Sequence, residues 1–399
     1  MNKLQNKCEV CNSANMEEVL NLGLHPLCDD LINIEKKSTS KLYPIEILLC
    51  RECLTSHQKY QVDKHELFPK TYHYRSRLTN DVLLGMDNLV GSVETYKGSL
   101  NSLNVLDIGC NDGSLLDKFY NKGAKTIGIE PTGAHEDADK RHIIINDYFN
   151  ELVAESVIKQ FGKIDVITFT NVFAHIEDLP SLLTSLEILM NDETVIVIEN
   201  HYLGAILEKN QFDTFYHEHP RTYSLKSFVN ISKSINCNIL DLDFPKRYGG
   251  NIRVMLGRAN PNGDVQNLID ETLKTEESFY DKFIEMNKFI EIWKLDKKKQ
   301  IKKLVEKHGR LKAKAFPGRA AILIKLLNLS NNEIEAVYEK PGSPKINNFV
   351  PGTRIPIRPD SDLNLKDLEI ILNFAWHISK EIRDYLSSDG FNGEVIDIL

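Results

Sequence analysis

The chain has 399 residues, of which 42% are hydrophobic and 27% are charged, and its formal net charge is -8. This length exceeds that of a typical single domain, so we expect more than one domain, each with its own core. The acidic balance opposes a broad nucleic-acid interface, because such an interface requires a basic surface. No apolar run approaches the roughly 18 residues of a membrane span. The first residues lack the apolar core of a signal peptide, so we expect a cytoplasmic protein with reduced cysteines.

Two Cys-x-x-Cys pairs stand near the start of the chain, Cys8 with Cys11 and Cys50 with Cys53. In a reducing compartment, this spacing indicates metal binding or redox chemistry before a disulfide. Four thiolates complete the tetrahedral site that suits zinc and leave no ligand position for water, so the predicted metal is structural. A redox-active pair is the alternative. Cys28 has no such partner and is predicted to be a buried thiol.

A glycine turn follows the first strongly apolar stretch. Residues 103–108 are typical of a buried parallel strand with Asp107 near its end, and Gly109, Asn111 and Gly113 form the turn before a helix. Ligands of open α/β sheets bind at such carboxyl ends, where glycine lets the backbone approach them closely. The acid before the first glycine favours S-adenosylmethionine (SAM) as the ligand. A nucleotide-redox cofactor, or a turn without any ligand, is the alternative.

Three polar residues follow later strands of the same region. Glu130 ends the next strand, 125–129, where a carboxylate commonly holds a ribose diol. Asp147 follows the third strand and is expected near the adenine amino group. Asn171 follows the fourth strand and is expected near the methionine part of SAM. His175, in the same loop, is expected to be a packing residue rather than a base.

Between residues 103 and 237 the chain alternates strand and helix, which is the pattern of a doubly wound, mostly parallel sheet. A helix from about 78 to 96 precedes the sheet. The predicted strands are 103–108, 125–129, 142–145, 164–169 and 194–199.

The last part of the chain is predicted to form a second α/β unit. Residues 271–308 are rich in Lys and Glu and are expected to form solvent-exposed helices. A helix at 320–328 and a strand at 334–339 follow them.

The densest group of reactive side chains is Tyr216, His217, Glu218 and His219. It lacks the i, i+4 histidine spacing of the HExxH zinc helix and the cysteine pair of the zinc deaminases. A metal-free acid/base group is therefore the functional hypothesis, because histidines and tuned carboxylates exchange protons near neutral pH. A hydrogen-bonded structural corner is the alternative.

The order of these motifs resembles that of the sugar C-methyltransferases of deoxysugar pathways, which methylate carbon 3 of nucleotide-linked 4-keto-6-deoxyhexoses. The resemblance spans essentially the whole chain. It rests on the two cysteine pairs, Asp-Ile-Gly-Cys-Asn-Asp-Gly at 107–113, Tyr-His-Glu-His at 216–219, Gly-Gly-Asn-Ile-Arg-Val at 249–254 and Pro-Gly-Thr-Arg-Ile-Pro-Ile at 351–357.

The resemblance implies an α/β chain of three domains. These are an N-terminal zinc-binding domain at 1–70, a central Rossmann-like class I methyltransferase domain with a helical lead-in at 71–260, and a C-terminal Rossmann-like α/β substrate-binding domain with a helical linker at 261–399. It also implies SAM and one structural zinc ion as cofactors. We expect a monomer that binds a nucleotide-linked keto-sugar, with neither nucleic acid nor a membrane as partner.

The site residues are carried over from the same resemblance, position by position. Tyr216, Glu218 and His219 would be catalytic, with Tyr74 as a fourth. His219 is the predicted base, Glu218 orients an imidazole, and Tyr216 donates to the substrate. The predicted substrate contacts are His217, Tyr248, Gly250, Asn251, Arg319 and Arg354.

The chain departs from the family pattern at three places where a substrate would be held. Tyr248 replaces a histidine, the turn that ends at Arg319 lacks a lysine, and residues 338–345 differ from the family motif. The sequence therefore leaves the sugar and its nucleotide open. The rival functions are methylation of a sugar at oxygen or nitrogen, a zinc-ribbon nucleic-acid methyltransferase, and a non-catalytic sugar-nucleotide-binding module.

Overall fold

The structure is a computed structural model that describes residues 3–69, 74–366 and 368–399. Its described residues divide into two compact units that interleave along the sequence. Unit 1 comprises Met1–Glu17, Leu48–Lys209 and Glu218–Tyr280, and unit 2 comprises Glu18–Ile47, Asn210–His217 and Asp281–Leu399. The predicted boundaries near residues 70 and 260 stay predictions.

Strands are numbered in chain order. They are β1 (Lys3–Leu4), β2 (Met16–Pro26), β3 (Ile32–Asn33), β4 (Leu42–Cys50), β5 (Ser56–Gln58), β6 (Tyr60–Gln61), β7 (Asn104–Ile108), β8 (Lys125–Ile129), β9 (Ile143–Ile145), β10 (Val166–Thr170), β11 (Val195–His201), β12 (Arg221–Thr222), β13 (Asn238–Asp243), β14 (Asn251–Gly257), β15 (Leu311–Lys314), β16 (Ile334–Glu339), β17 (Asn348–Phe349), β18 (Ile357–Pro359), β19 (Ile370–Asn373) and β20 (Glu394–Asp397).

Helices are numbered in the same way. They are α1 (Lys64–Leu67), α2 (Asn80–Lys97), α3 (Ser114–Tyr120), α4 (Glu151–Phe161), α5 (Leu179–Leu189), α6 (Leu203–Glu208), α7 (Leu225–Ser234), α8 (Gly263–Glu276), α9 (Phe279–His308), α10 (Ala320–Leu327) and α11 (Ser379–Ser388).

The main sheet of unit 1 has seven strands among the described residues, in the order β13-β14-β11-β10-β7-β8-β9. Strands β7 to β11 are parallel, and β14 pairs antiparallel with β11 and β13. The connections lead from β7 outward to β8 and β9 on one side and to β10 and β11 on the other. Ligands of such sheets bind outside the carboxyl ends at this switch point. The predicted doubly wound fold and its five predicted strands are confirmed.

Helices cover both faces of this sheet, which explains why its central strands are almost wholly apolar. Side chains of successive strand residues alternate between the faces. Leu106 and Ile108 belong to the core formed with α4, α5 and α7, whereas Val105 belongs to the core formed with α2 and α3. Polar side chains on these strands are therefore exceptions that need a partner.

The sheet of unit 2 has the order β18-β16-β15-β19-β20, and its strand pairs are all parallel. Helix α10 connects β15 to β16, and the order reverses between β15 and β19. This is the predicted second α/β unit, and the helix and the strand predicted at 320–328 and 334–339 are present as α10 and β16.

Helix α9 corrects the expectation of solvent-exposed helices at 271–308. Phe279, Phe283, Met286, Ile290 and Trp293 are buried along one face at helical spacing. The Lys and Glu residues occupy the other positions, so composition alone concealed an amphipathic pattern. Among the described residues, no helix combines the length and the apolarity that a membrane crossing would need.

Two glycines inside α2 differ in what surrounds them. At Gly85 a Cβ would overlap the guanidinium of Arg247, which crosses the helix there and donates to the Val82 carbonyl at 3.2 Å. At Gly91 a Cβ would meet no atom within 4 Å. Glycine lowers helix stability in both places, but only at Gly85 does packing require it.

We expect Gly85→Ala and Gly91→Ala to change stability in opposite directions. Gly91→Ala gains about 0.5–1 kcal/mol of helix propensity. Gly85→Ala displaces Arg247 and loses about 1–3 kcal/mol, as overpacked sites do. Thermal melting of the two variants beside the parent protein measures the difference. Equal melting temperatures for the two variants would contradict the packing described at Gly85.

Candidate active site

Two buried acids lie at the carboxyl edge of the unit 1 sheet. Asp107, in β7, is 3% exposed and accepts a hydrogen bond from the Thr168 hydroxyl of β10 at 2.7 Å. Burial raises the pKa of Asp107 to about 7, and the charge of Glu130 adds to the shift. Glu130, after β8, is also buried and accepts hydrogen bonds from the Asn111 amide at 3.0 Å and from Thr132.

The turn after β7 needs its glycines. Gly109 and Gly113 have φ angles of 74° and 76°, which residues with a Cβ rarely adopt. At Gly109 a Cβ would also lie 2.6 Å from the side chain of Val172, in the loop after β10. The missing side chain therefore lets this loop approach the turn.

The turn also holds the segment that precedes α2. The Asn111 side chain accepts a hydrogen bond from the Ser76 amide at 3.0 Å and donates to the Tyr74 carbonyl at 3.2 Å. The buried Asp112 carboxylate accepts hydrogen bonds from the amide and the guanidinium of Arg77 at 3.0 and 3.1 Å. Tyr74 is thereby tied to the turn through its backbone, and its side chain is 43% exposed.

Asp147 and Asn171 follow strands at the same edge. Asp147 is exposed after β9, and its carboxylate accepts a hydrogen bond from the Tyr148 amide at 2.7 Å. Asn171 follows β10 with a φ angle of 55°, and its amide donates to the Glu199 carbonyl at 2.7 Å. The predicted cofactor positions thus share one sheet edge, and their contact with a cofactor stays a prediction.

A buried ion-pair network at the end of β11 was not predicted. Glu199 is fully buried and accepts hydrogen bonds from Arg253 at 2.7 and 2.8 Å, from the Asn251 side chain at 3.0 Å and from Arg247 at 3.3 Å. Asn251 also donates to the Asn171 side chain at 3.5 Å. Glu199 and Arg253 are directly opposite in the β11–β14 pair, so strand register creates the network. It holds Asn251, a predicted substrate residue, beside Asn171.

Backbone geometry also explains why position 250, a predicted substrate contact, is a glycine. Its φ angle is 131°, and a Cβ would lie 2.5 Å from the Cβ of Ala205. Tyr248 lies in the 3₁₀ turn Arg247–Gly249, but its side chain is outside the described part of the structure. Substrate contact by either residue stays a prediction.

The predicted catalytic segment divides between the units. Tyr216 and His217 belong to unit 2, and Glu218 and His219 belong to unit 1. Tyr216 is half-buried, whereas the other three side chains are at most 7% exposed. His217 Nε2 donates to the Tyr43 carbonyl at 3.2 Å, and burial lowers the pKa of His217 to about 4. His217 is therefore a neutral, hydrogen-bonded imidazole at pH 7.

Two further imidazoles lie beside His219. The ring centroids of His175 and His219 are 4.8 Å apart, and those of His201 and His219 are 5.5 Å apart. His175 Nδ1 donates to the Glu218 carbonyl at 2.8 Å, and burial lowers the pKa of His175 to about 4. From sequence, His175 is expected to be a packing residue and His201 has no predicted role. The structure brings both to the predicted base.

In unit 2, the two predicted arginines are held by protein groups. Arg319 donates to both Asp213 carboxylate oxygens at 2.6 and 2.9 Å and to the Thr214 hydroxyl at 2.7 Å. Trp376 Nε1 donates to the same carboxylate at 2.9 Å. Arg354 donates to backbone carbonyls of residues 36–38. Their contact with a substrate is untested, and these bonds show that both fix neighbouring loops.

Four cysteine thiols converge in unit 1. The Sγ atoms of Cys8, Cys11, Cys50 and Cys53 all lie within 4.8 Å of one another, and the four are free thiols. The Cys8–Cys53 and Cys11–Cys50 sulfur distances are 3.4 and 3.5 Å. A tetrahedral zinc site with Zn–S bonds of about 2.3 Å separates its sulfurs by roughly 3.8 Å. The donor set therefore fits one zinc ion with sulfur at every position.

Three family models match successive parts of the chain. They are described as a zinc binding domain at residues 8–68, a methyltransferase domain at 74–242 and a C-methyltransferase C-terminal domain at 246–393. The chain is a methyltransferase with the domain composition of C-methyltransferases. The fold class predicted from sequence is confirmed by these matches and by the two sheets.

Known proteins are similar to this methyltransferase to different extents. C-methyltransferase NovU of Streptomyces niveus is 24% identical over 385 residues, which cover 95% of this chain and 91% of NovU. The ubiquinone biosynthesis O-methyltransferase of Rhodopseudomonas palustris is 35% identical over 104 residues, which cover 25% of this chain and 40% of that enzyme. The crystal structure of magnesium protoporphyrin IX methyltransferase from Synechocystis PCC 6803 aligns with 45% of this chain and 84% of its own, at 17% identity and a TM-score of 0.35.

Sequence offered a signal for some of the missed residues. His201 lies two residues after the predicted strand 194–199, whose carboxyl end shares the edge with Asp107, so a search of strand ends for histidine would have found it. His175 was identified in the loop after the fourth predicted strand, but nothing in the sequence shows that it lies against His219. The Glu199–Arg253 pair gives no such signal, because it depends on the register between β11 and β14.

We expect the purified protein to contain about one zinc ion per chain, as a complete four-thiolate site implies. Cys53→Ser should lower both the zinc content and the melting temperature, because a hydroxyl is a poor zinc ligand and metal binding contributes to folding. Elemental analysis and thermal melting provide the measurements. Cys28→Ser is the control and should retain zinc. Full zinc content in Cys53→Ser would remove that thiol from the site.

Proposed function

We propose that this protein transfers the methyl group of SAM to carbon 3 of a nucleotide-linked 4-keto-6-deoxyhexose in deoxysugar biosynthesis. The observation that carries the proposal is the buried His219 imidazole, with Glu218 and His175 around it, in the unit whose sheet edge carries Asp107 and Glu130. Carbon methylation needs both features, since it requires a base for a C–H proton and a site for the methyl donor.

Strand β10 connects the two features. The Thr168 hydroxyl of β10 donates to Asp107, and the loop that follows β10 begins at Asn171 and contains His175. His175 in turn lies against His219. The acids and the imidazoles are therefore near the same end of one strand, which supports their action on a shared pair of reactants.

SAM supplies a methyl group that is already activated on a sulfonium sulfur. In this proposal Asp107 faces the cationic methionine part of SAM, and Glu130 accepts hydrogen bonds from the ribose hydroxyls. Asn111, Asp147 and Asn171 complete the cofactor contacts with the backbone of the glycine turn. The protein then contributes alignment of the methyl group with the carbon that attacks it.

Carbon 3 of the substrate becomes nucleophilic when its proton leaves and negative charge moves to the oxygen of the neighbouring ketone. His219 removes that proton, and the backbone carbonyl of Glu218 orients the neighbouring His175 ring by accepting a hydrogen bond from its Nδ1. Tyr216 and Tyr74 donate hydrogen bonds toward the developing oxyanion. The enolate carbon would then form a bond to the methyl group as the S–CH₃ bond breaks and S-adenosylhomocysteine leaves.

The remaining assignments concern binding and folding. Cys8, Cys11, Cys50 and Cys53 hold one structural zinc ion. The proposed nucleotide-sugar contacts are His217, Tyr248, Gly250, Asn251, Arg319 and Arg354. Arg319 and Arg354 also fix neighbouring loops. The protein acts as a cytoplasmic monomer and has neither nucleic acid nor a membrane as partner.

The similarity to C-methyltransferase NovU over nearly both full lengths supports methylation at carbon. The O-methyltransferase relative matches a quarter of this chain. Methylation at oxygen or nitrogen is therefore kept as the alternative outcome of the test below.

Incubation with SAM and a panel of dTDP-, GDP-, UDP- and CDP-linked 4-keto-6-deoxyhexoses should give one product that is heavier by one methyl group. His219→Gln should lower turnover by about 10²–10⁴-fold, as loss of a general base does, while SAM affinity stays the same. Mass spectrometry measures the product, and deuterium uptake at the substrate carbon from D₂O separates carbon from oxygen methylation. Full turnover by His219→Gln would remove the proposed base.

SAM affinity should rise by about threefold to tenfold between pH 6 and pH 8, because the ionised fraction of a group with a pKa near 7 rises by about tenfold over that range. The cause is Asp107, whose carboxyl group has a pKa raised to about 7 by burial and is neutral below that pH. The ionised form, which binds a cation better, dominates above it. Calorimetric titration should also detect proton release on binding near pH 7.

Asp107→Asn should bind SAM more weakly and without this pH dependence. Asp117→Asn is a matched control, because Asp117 lies on α3 and its pKa is lowered rather than raised. Burial by itself would raise the pKa of Asp117, but Arg141 and His142 lower it. A pH dependence unchanged in Asp107→Asn would exclude Asp107 as its source.

A further inference from the structure

His201 lies beside the proposed base but has no part in the chemistry above. Its ring centroid is 5.5 Å from that of His219, with an angle of 56° between the rings. Rings at this separation can exchange a proton directly or through one bridging water molecule when their nitrogen atoms face each other. His201 ends β11, where it is paired in register with Asn251, so the sheet fixes where its side chain begins.

The three imidazoles differ in their surroundings. His219 is 5% exposed, whereas His201 and His175 are both half-buried. His175 is committed to the Glu218 carbonyl through Nδ1, and burial lowers its pKa to about 4, which makes it a poor proton acceptor at neutral pH. Of the two imidazoles that flank His219, His201 is therefore the better route for a proton toward solvent.

The proposed reaction needs such a route. When the C3–H bond breaks, the proton moves to a nitrogen of His219 and the electron pair stays on the substrate as an enolate. That pair then forms the new C–C bond while the S–CH₃ bond breaks and S-adenosylhomocysteine leaves. His219 is left as a buried imidazolium, which is unfavourable and must lose its proton before the next turnover.

We propose that His201 takes this proton from His219 and passes it to water. The inference rests on the proposed function. It makes His201 a relay residue that acts through His219 and does not contact the reacting carbon, so its loss should slow turnover without weakening the binding of either substrate.

His201→Gln tests the relay, because glutamine keeps a polar side chain of similar reach but cannot carry the proton. We expect kcat to fall about tenfold or more in dilute buffer, as loss of a proton-transfer group does. KM for the sugar and the affinity for SAM should stay within about twofold of the parent values. Imidazole added to the solution should restore kcat, since it replaces the missing base.

His308→Gln is the matched control, because His308 is a half-buried histidine that is paired with Glu369 instead of other imidazoles. It should show neither the loss nor the rescue. Parental kcat in His201→Gln at low buffer would overturn the relay. A loss of kcat that imidazole does not restore would overturn it too, because that result indicates a structural role.

A measurement on the unmodified protein does not depend on the folding of a variant. With S-adenosylhomocysteine bound, deuterium should enter carbon 3 of the substrate from D₂O at a rate independent of buffer concentration. An exchange rate that rises in proportion to buffer would show that no internal relay operates. Absence of both exchange and methyl transfer with the whole sugar panel would instead overturn the proposed function, and the relay with it.

Discussion

The shared carboxyl edge of β7, β10 and β11 is the constraint on which the site depends. Because these strands are parallel and in register, Asp107, Asn171 and Glu199 lie at one end of one sheet although they are far apart in sequence. Helices bury both faces of the sheet, so a polar side chain on these strands needs a partner. The Thr168 hydroxyl partners Asp107, and Arg253 partners Glu199.

The Glu199 network shows how such partnering also positions neighbours. A fully buried carboxylate would be costly alone, but Arg253 and Arg247 compensate its charge and Asn251 fills the remaining acceptor position. Removing one partner from a buried pair of this kind costs about 3–5 kcal/mol, because the other charge is left unpaired. The network thus locks the register of β14 and, through Asn251, the side chain of Asn171.

A buried carboxylate in unit 2 is also held by partners, just before the predicted catalytic segment 216–219. The Asp213 carboxylate is fully buried and receives hydrogen bonds from Arg319 and Trp376. These bonds fix the 3₁₀ turn Phe212–Thr214, and Tyr216 follows it after one residue. Arg319, predicted from sequence to hold the substrate, is therefore already engaged in holding the turn that precedes Tyr216, a proposed catalytic residue.

The sequence by itself determined the architecture, because apolar periodicity, the glycine turn at 109–113 and the two cysteine pairs are local signals. It identified the strand-end acids for the same reason. Only the tertiary structure decided that His175 and His201 surround His219, and that Glu199 pairs with Arg253. Those contacts join residues from different strands and loops, and the strand register that brings them together leaves no mark in the order of the residues.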